Sequence, residues 1–89
     1  MMDLSNRQQT ILALIVRAYT ETVKPIGSKS LIERYNMNVS SATVRNEMSA
    51  LTDAGLLRQP HTSAGRVPTE AGYRYFVRGL LGDSDLPNA

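Results

Sequence analysis

With 89 residues, 42% of them hydrophobic and 20% charged, the chain has room for one small domain and the composition of a globular one. A formal net charge of +2, no cysteine and a single histidine exclude disulfides, a thiolate metal site and any zinc site of ordinary composition. The longest apolar run, Ile11 to Val16, falls far short of the roughly 20 residues that span a bilayer, and no stretch has the form of a targeting signal, so a soluble protein is expected.

Ser5 followed by Gln8 makes a capping box, and no Gly or Pro intervenes from there to about Glu21. Ile11, Leu12, Ile15, Ala18 and Tyr19 recur at helical spacing, which predicts a long first helix with one buried stripe. The segment Val23 to Gly27 ends it, because proline disfavours helix in the residue before it. Ser28 is placed to cap a short second helix reaching about Tyr35, with Leu31, Ile32 and Tyr35 on its apolar face. Asn36-Met37-Asn38 reads as a turn, since asparagine tolerates the left-handed conformation. Ser40 or Ser41 caps a third helix to Ala54, with Gly55 as terminator and Val44, Met48 and Leu51 as its buried side.

Leu56 to Gln59 is then a strand candidate, Pro60 to Gly65 a loop, and Arg66-Val67 a returning strand closed by Pro68, together a small hairpin with a mobile tip. Thr69 caps a fourth helix in which Tyr73, Phe76, Val77 and Leu80 repeat as a core stripe or dimer seam, leaving Arg74 and Tyr75 off it. Gly82 to Ala89 reads as a frayed tail or linker. The fold class expected is mainly α, a small α+β winged helix-turn-helix: a three-helix core, a two-stranded β-hairpin wing and a C-terminal helix. The domain is assigned to residues 1–81 and the flexible tail or linker to 82–89.

In that architecture the second helix of the helix-turn-helix enters the major groove, whose base edges are all distinguishable. With Val44, Met48 and Leu51 inward, the wheel turns Ala42, Thr43, Asn46 and Ser49 outward, with Arg45 on the shoulder. Arg45 matches guanine and Asn46 adenine; Ser41, Thr43 and Ser49 supply shorter groups. The first turn carries Ser40, Ser41 and Thr43 and no acid, so it can approach a phosphate, while Glu47 and Asp53 cut against a uniformly positive face. The same surface is also what any solvated helix presents.

At the hairpin, His61, Thr62 and Ser63 offer short donors and Gly65 close backbone approach. Arg66 supplies charge and is read as a DNA contact at an arginine-tipped wing. For His61 the alternative is packing against Pro60, and for Gly65 the needs of the turn. Arginines 58, 66, 74 and 78 stand against Glu70 alone between 58 and 78, so the basic field is concentrated there, as a polyanion partner would require. No phosphate-cradling glycine motif and no Ser-His-Asp constellation is present, so neither an enzyme nor a cofactor is expected. The rival to DNA binding is a winged helix used as a protein-interaction module.

The run Ser-Ala-Thr-Val-Arg-Asn-Glu-Met from Ser41, the run Pro-His-Thr-Ser-Ala-Gly-Arg-Val-Pro-Thr from Pro60, and Gly-Tyr-Arg-Tyr-Phe-Val from Gly72 resemble the heat-inducible transcription repressor family HrcA. Pro-Ile-Gly-Ser-Lys from Pro25 is similar to that family's Pro-Val-Gly-Ser-Lys. The resemblance runs from about Leu4 to Leu81. It implies a cytoplasmic, nucleoid-associated bacterial repressor of chaperone operons that binds double-stranded DNA at an inverted-repeat operator. It further implies a homodimer in the full-length family, a link to the GroE chaperonin, and release on heat shock. By position, Ser41, Thr43, Arg45 and Asn46 match the family's recognition helix and His61 to Arg66 its wing. Family members are several times longer, with a downstream GAF-like domain, so the chain is expected to be either the N-terminal domain alone or a stand-alone relative.

Overall fold

Helix α1 (Asn6–Thr22) starts at the expected reciprocal cap in a computed structural model that describes residues 4–84, with side chains described as far as Gly79. The Ser5 hydroxyl accepts the Gln8 N–H at 3.1 Å, and the Gln8 side chain accepts the Ser5 N–H at 3.1 Å. The helix ends one residue before proline could act: Val23 adopts the left-handed conformation (φ 56°) and donates its N–H to Tyr19 O. For a β-branched residue that conformation costs about 1–2 kcal/mol, and Val23 stays exposed.

Helices α2 (Ser28–Tyr35) and α3 (Ser41–Asp53) follow, then strands β1 (Leu57–Arg58) and β2 (Val67–Pro68), and finally α4 (Glu70–Ser84). The cap of α2 is Gly27 rather than Ser28. Ile26 is held extended by paired main-chain bonds with Arg66, 2.9 Å in each direction, so the chain turns helical directly after Gly27. Asn36 closes α2 at φ 51°, as its side chain type suggests. Ser40 caps α3 by accepting the Thr43 N–H. Gly55 (φ 83°) ends it in a Schellman turn, with Leu56 N–H donated to Leu51 O and Gly55 N–H to Thr52 O.

The strands are shorter than expected and shifted, pairing Leu57 with Pro68 and Arg58 with Val67, antiparallel. Pro68 therefore lies inside the ladder instead of closing it. The Thr69 N–H donates to Leu56 O one step further on, so alternation places Leu57–Pro68 at a non-hydrogen-bonded site where a missing N–H costs nothing. Arg66 leaves this pair of strands and bridges to Ile26 instead.

The core is one cluster. Ile11, Leu12, Ile15, Val16 and Ala18 of α1 meet Leu31 of α2, Val44, Met48 and Leu51 of α3, and Leu56 and Leu57. Thr69 caps α4 as expected: its hydroxyl accepts the Gly72 N–H and donates to Gly55 O. The expected stripe on α4, however, is rotated. A Cβ on Gly72 would stand 2.2 Å from Leu56 O, so it is this glycine that faces the body of the domain. The residues three and four positions on, Tyr75 and Phe76, then pack against the core, whereas Tyr73 (36%) and Val77 (47%) are exposed. The Leu80 side chain lies outside the described residues. Helix α4 continues through Ser84, so 82–84 are helical rather than tail, and 85–89 lie outside the described residues.

Replacing Gly72 by Ala should cost about 1–3 kcal/mol through the backbone shift it forces. Gly79→Ala, with nothing within 4 Å of the added methyl, should be neutral or stabilising by up to about 1 kcal/mol. Urea unfolding followed by circular dichroism separates the two.

Candidate nucleic-acid interface

Helix α3 packs against α1, α2 and β1, and the side turned away from them carries the expected polar residues. Arg45, Asn46 and Ser49 are exposed, as is Ala42, while Ser41 and Thr43 are half-buried. Val44, Met48 and Leu51 are at most 2% exposed, so the wheel drawn from the sequence holds in space. At the start of the helix the Ser40 hydroxyl accepts the Thr43 N–H at 3.1 Å and donates to the Thr43 hydroxyl at 3.0 Å. No acid occupies this first turn, so the helix dipole there favours an anion.

Glu47, which the sequence sets against a positive surface, is turned toward α1. Its carboxylate accepts Gln8 Nε2–H at 3.1 Å and lies 3.9 Å from the Arg7 guanidinium. The same Gln8 side chain completes the α1 cap, so one residue ties the beginning of α1 to the middle of α3. The negative charge is thus paired on the helix's inner flank. Asp53 stays exposed at the far end.

In the wing, His61 and Thr62 are exposed and Ser63 is half-buried. Ser63 has internal work: its hydroxyl accepts the Gly65 N–H at 2.9 Å, its own N–H reaches Pro60 O at 3.3 Å, and its carbonyl accepts Gln59 Nε2–H at 3.3 Å. Gly65 is required by close approach within the protein, since a Cβ there would lie 3.0 Å from the backbone of Pro25 and Ile26.

Arg66 departs from expectation. It is not at the tip but at the wing's base, only 9% exposed. Its Nε–H donates to the Thr52 hydroxyl at 3.0 Å and an NH1 hydrogen to Ala64 O at 2.9 Å. The bridge to Ile26 fixes its backbone so that the side chain starts from inside the fold, and the arginine-tipped wing is replaced by one tipped with His61 and Thr62. The sequence carried the charge of Arg66, but its partner Thr52 is fourteen positions away and nothing local links the two.

Two exposed cations that the sequence reading did not single out as contacts also stand on these elements. Arg58 lies on wing strand β1, and Lys29 in the first turn of α2, a helix whose cap Gly27 offers no side-chain acceptor. Their charge was visible in the sequence; their exposure was not. Arg34 of α2 pairs instead with Glu21 of α1, and that hydrogen bond raises the guanidinium pKa above its ordinary value. Among the described residues no cluster of His, Asp or Glu could hold a metal ion, and no helix is long and apolar enough to cross a membrane.

A helix–turn–helix pair, α2 and α3, followed by a short antiparallel hairpin and a further helix is the arrangement of a winged helix-turn-helix domain. The chain belongs to the winged helix-turn-helix transcription repressor, HrcA DNA-binding family, whose model matches residues 3–79. It is 56% identical over 84 residues to the heat-inducible transcription repressor HrcA of Anabaena sp. (strain L31), covering 94% of this chain and 24% of that protein. The repressors of the same name from Synechococcus elongatus and Streptomyces avermitilis are 59% and 57% identical, covering 88% and 89% of this chain and 22% and 23% of theirs. The chain thus spans about a quarter of the length of these relatives. A crystal structure of a hypothetical protein aligns with a TM-score of 0.88 at 42% identity, covering 98% of this chain and 27% of that one. The relatives carry the name of a regulator, not of a catalyst.

The exposed residues of α3 should be separable from folding. Arg45→Ala and Asn46→Ala are expected to move stability by no more than about 0.5 kcal/mol, whereas Ser40→Ala should cost about 1 kcal/mol by removing the cap. Chemical denaturation of the three variants checks this.

Proposed function

We propose that the chain is the DNA-reading part of a heat-inducible repressor, and that it binds duplex DNA by laying α3 in the major groove. The observation that carries this reading is the solvent face of α3, on which Arg45, Asn46 and Ser49 stand free while Glu47 is drawn off toward α1. Arg45 offers a bidentate fork for guanine and Asn46 a donor–acceptor pair for adenine. Ser41 and Thr43, at the N-terminal turn, take a phosphate or a base edge. His61, Thr62 and Ser63 bring the wing to the backbone or minor groove, and Lys29 and Arg58 add phosphate contacts.

An inverted-repeat operator and a homodimer follow from the family resemblance, as do control of chaperone operons, a cytoplasmic nucleoid location and coupling to the GroE chaperonin. Two linked copies gain effective concentration that a lone domain lacks, so the chain by itself should bind weakly and with strong salt dependence.

The test is selection from a randomised inverted-repeat duplex pool by the chain fused to a dimerising coiled coil at low salt. Enrichment of one sequence is expected. Arg45→Ala and Asn46→Ala should each cost about 1–3 kcal/mol at the base they read and relax preference there. Failure to enrich any duplex sinks the reading. Binding that ignores both substitutions would point instead to a surface for another protein.

A further inference from the structure

We propose that Arg66 is a positioning residue for DNA recognition: with Thr52 it straps the wing to α3, and it touches no nucleic acid itself. The inference rests on the DNA-binding reading above and assigns this arginine a place within it.

A continuous series of hydrogen bonds carries the proposal. The Thr52 hydroxyl donates to Met48 O at 2.8 Å, inside α3, and accepts Arg66 Nε–H at 3.0 Å. The guanidinium then donates from NH1 to Ala64 O at 2.9 Å, in the wing loop. The backbone of the recognition helix is thereby connected to the wing loop through two side chains. Arg66 is itself anchored on the opposite side by the two main-chain bonds to Ile26. The ladder between β1 and β2 is only two residue pairs long, and the Ile26 bridge adds only Arg66, too little to set where residues 59–65 stand relative to α3. Something further must set the spacing between α3 and the wing, and the strap is placed to do so.

The chemistry of the arginine supports the same role. Among the described residues Arg66 has no carboxylate partner, although it is 9% exposed. Burying an uncompensated cation is a poor way to stabilise a fold, and an aliphatic side chain would fill the site better. A guanidinium fork does what an aliphatic group cannot: it fixes direction, by donating to two acceptors on different elements at once. A duplex gripped by a helix and a wing together rewards that fixed geometry, because ordering the two relative to one another at the moment of binding would reduce affinity.

Three variants of the chain test the strap: Arg66→Gln, Thr52→Val and Thr52→Ser. The first readout uses the DNA-free protein. Amide resonances of His61 to Gly65 should shift or broaden in Arg66→Gln and Thr52→Val, stay as in the parent in Thr52→Ser, and leave those of α1 unmoved in all three. The second readout is binding of the duplex selected above by the same variants in the coiled-coil fusion, across a salt series. Arg66→Gln and Thr52→Val should each weaken binding about tenfold, the loss of one hydrogen bond to a charged group. The salt slope should be unchanged, the double variant no weaker than either single one, and Thr52→Ser should bind as the parent does.

A slope lowered by about 0.9 in Arg66→Gln, with parental binding by Thr52→Val, would place the guanidinium on a phosphate and overturn the proposal. Thr52→Val is nearly isosteric and leaves the charge in place, so it decides the matter even if Arg66→Gln does not fold. Wing resonances unmoved in both variants would overturn the strap alone. Absence of duplex binding by the unaltered sequence in the coiled-coil fusion at low salt would overturn the DNA reading, and with it the role given to Arg66, whatever the wing resonances show.

Discussion

Ile11, Leu12, Ile15, Val16 and Ala18 spread over an arc of about 160° on α1, counted at 3.6 residues per turn. No single neighbour can cover so wide an apolar face, and the burial of these side chains is the constraint from which the rest of the domain follows. Helices α2 and α3 take one part of it, and β2 and α4 take the rest. Because α3 is pressed onto α1 along Val44, Met48 and Leu51, its opposite side has nothing to do in folding. The surface proposed to read DNA is thus a by-product of covering α1: polar residues occupy it at no cost to the core.

The same economy shows in the ionised groups. The charge on α3 most harmful to contact with a polyanion, Glu47, is paired with Gln8 and Arg7 on the α1 flank. A cation that would have been welcome outside, Arg66, is turned inward to hold the wing. Net charge is therefore a poor guide to this surface. A weak +2 overall conceals a face cleared of one acid, and an arginine count between 58 and 78 overstates the charges available to a partner, because Arg66 is buried and Arg74 pairs with Glu70.

The helices were legible in the sequence wherever a local signal coincided with burial. The Ser5–Gln8 box, Asn36, Ser40, Gly55 and Thr69 all act within a few residues of themselves, and each stands where its chemistry suggests. The polar side of α3 was legible for the same reason, through the spacing of Val44, Met48 and Leu51. What escaped was decided by contacts between distant segments. The orientation of α4 depends on Gly72 meeting Leu56 O, so the larger apolar residues Tyr73 and Val77 misdirect a reading by periodicity. The place of Pro68 depends on which ladder site it meets, and the fate of Arg66 on a threonine in α3 and a strand-like residue between α1 and α2. Residue type told that Gly65 was special but not for whom: the backbone that needs the space is the protein's own.

The main-chain bridge between Ile26 and Arg66 has a practical corollary for engineering. It closes the hairpin's return path against the α1–α2 connection, so the chain on either side is locked at both ends while His61 and Thr62 protrude beyond the lock. Extra residues spliced in between those two would lengthen only the protruding turn and leave the interior unaware of them. That junction is where a foreign epitope, a reporter tag or a loop from a relative could be grafted with the scaffold intact.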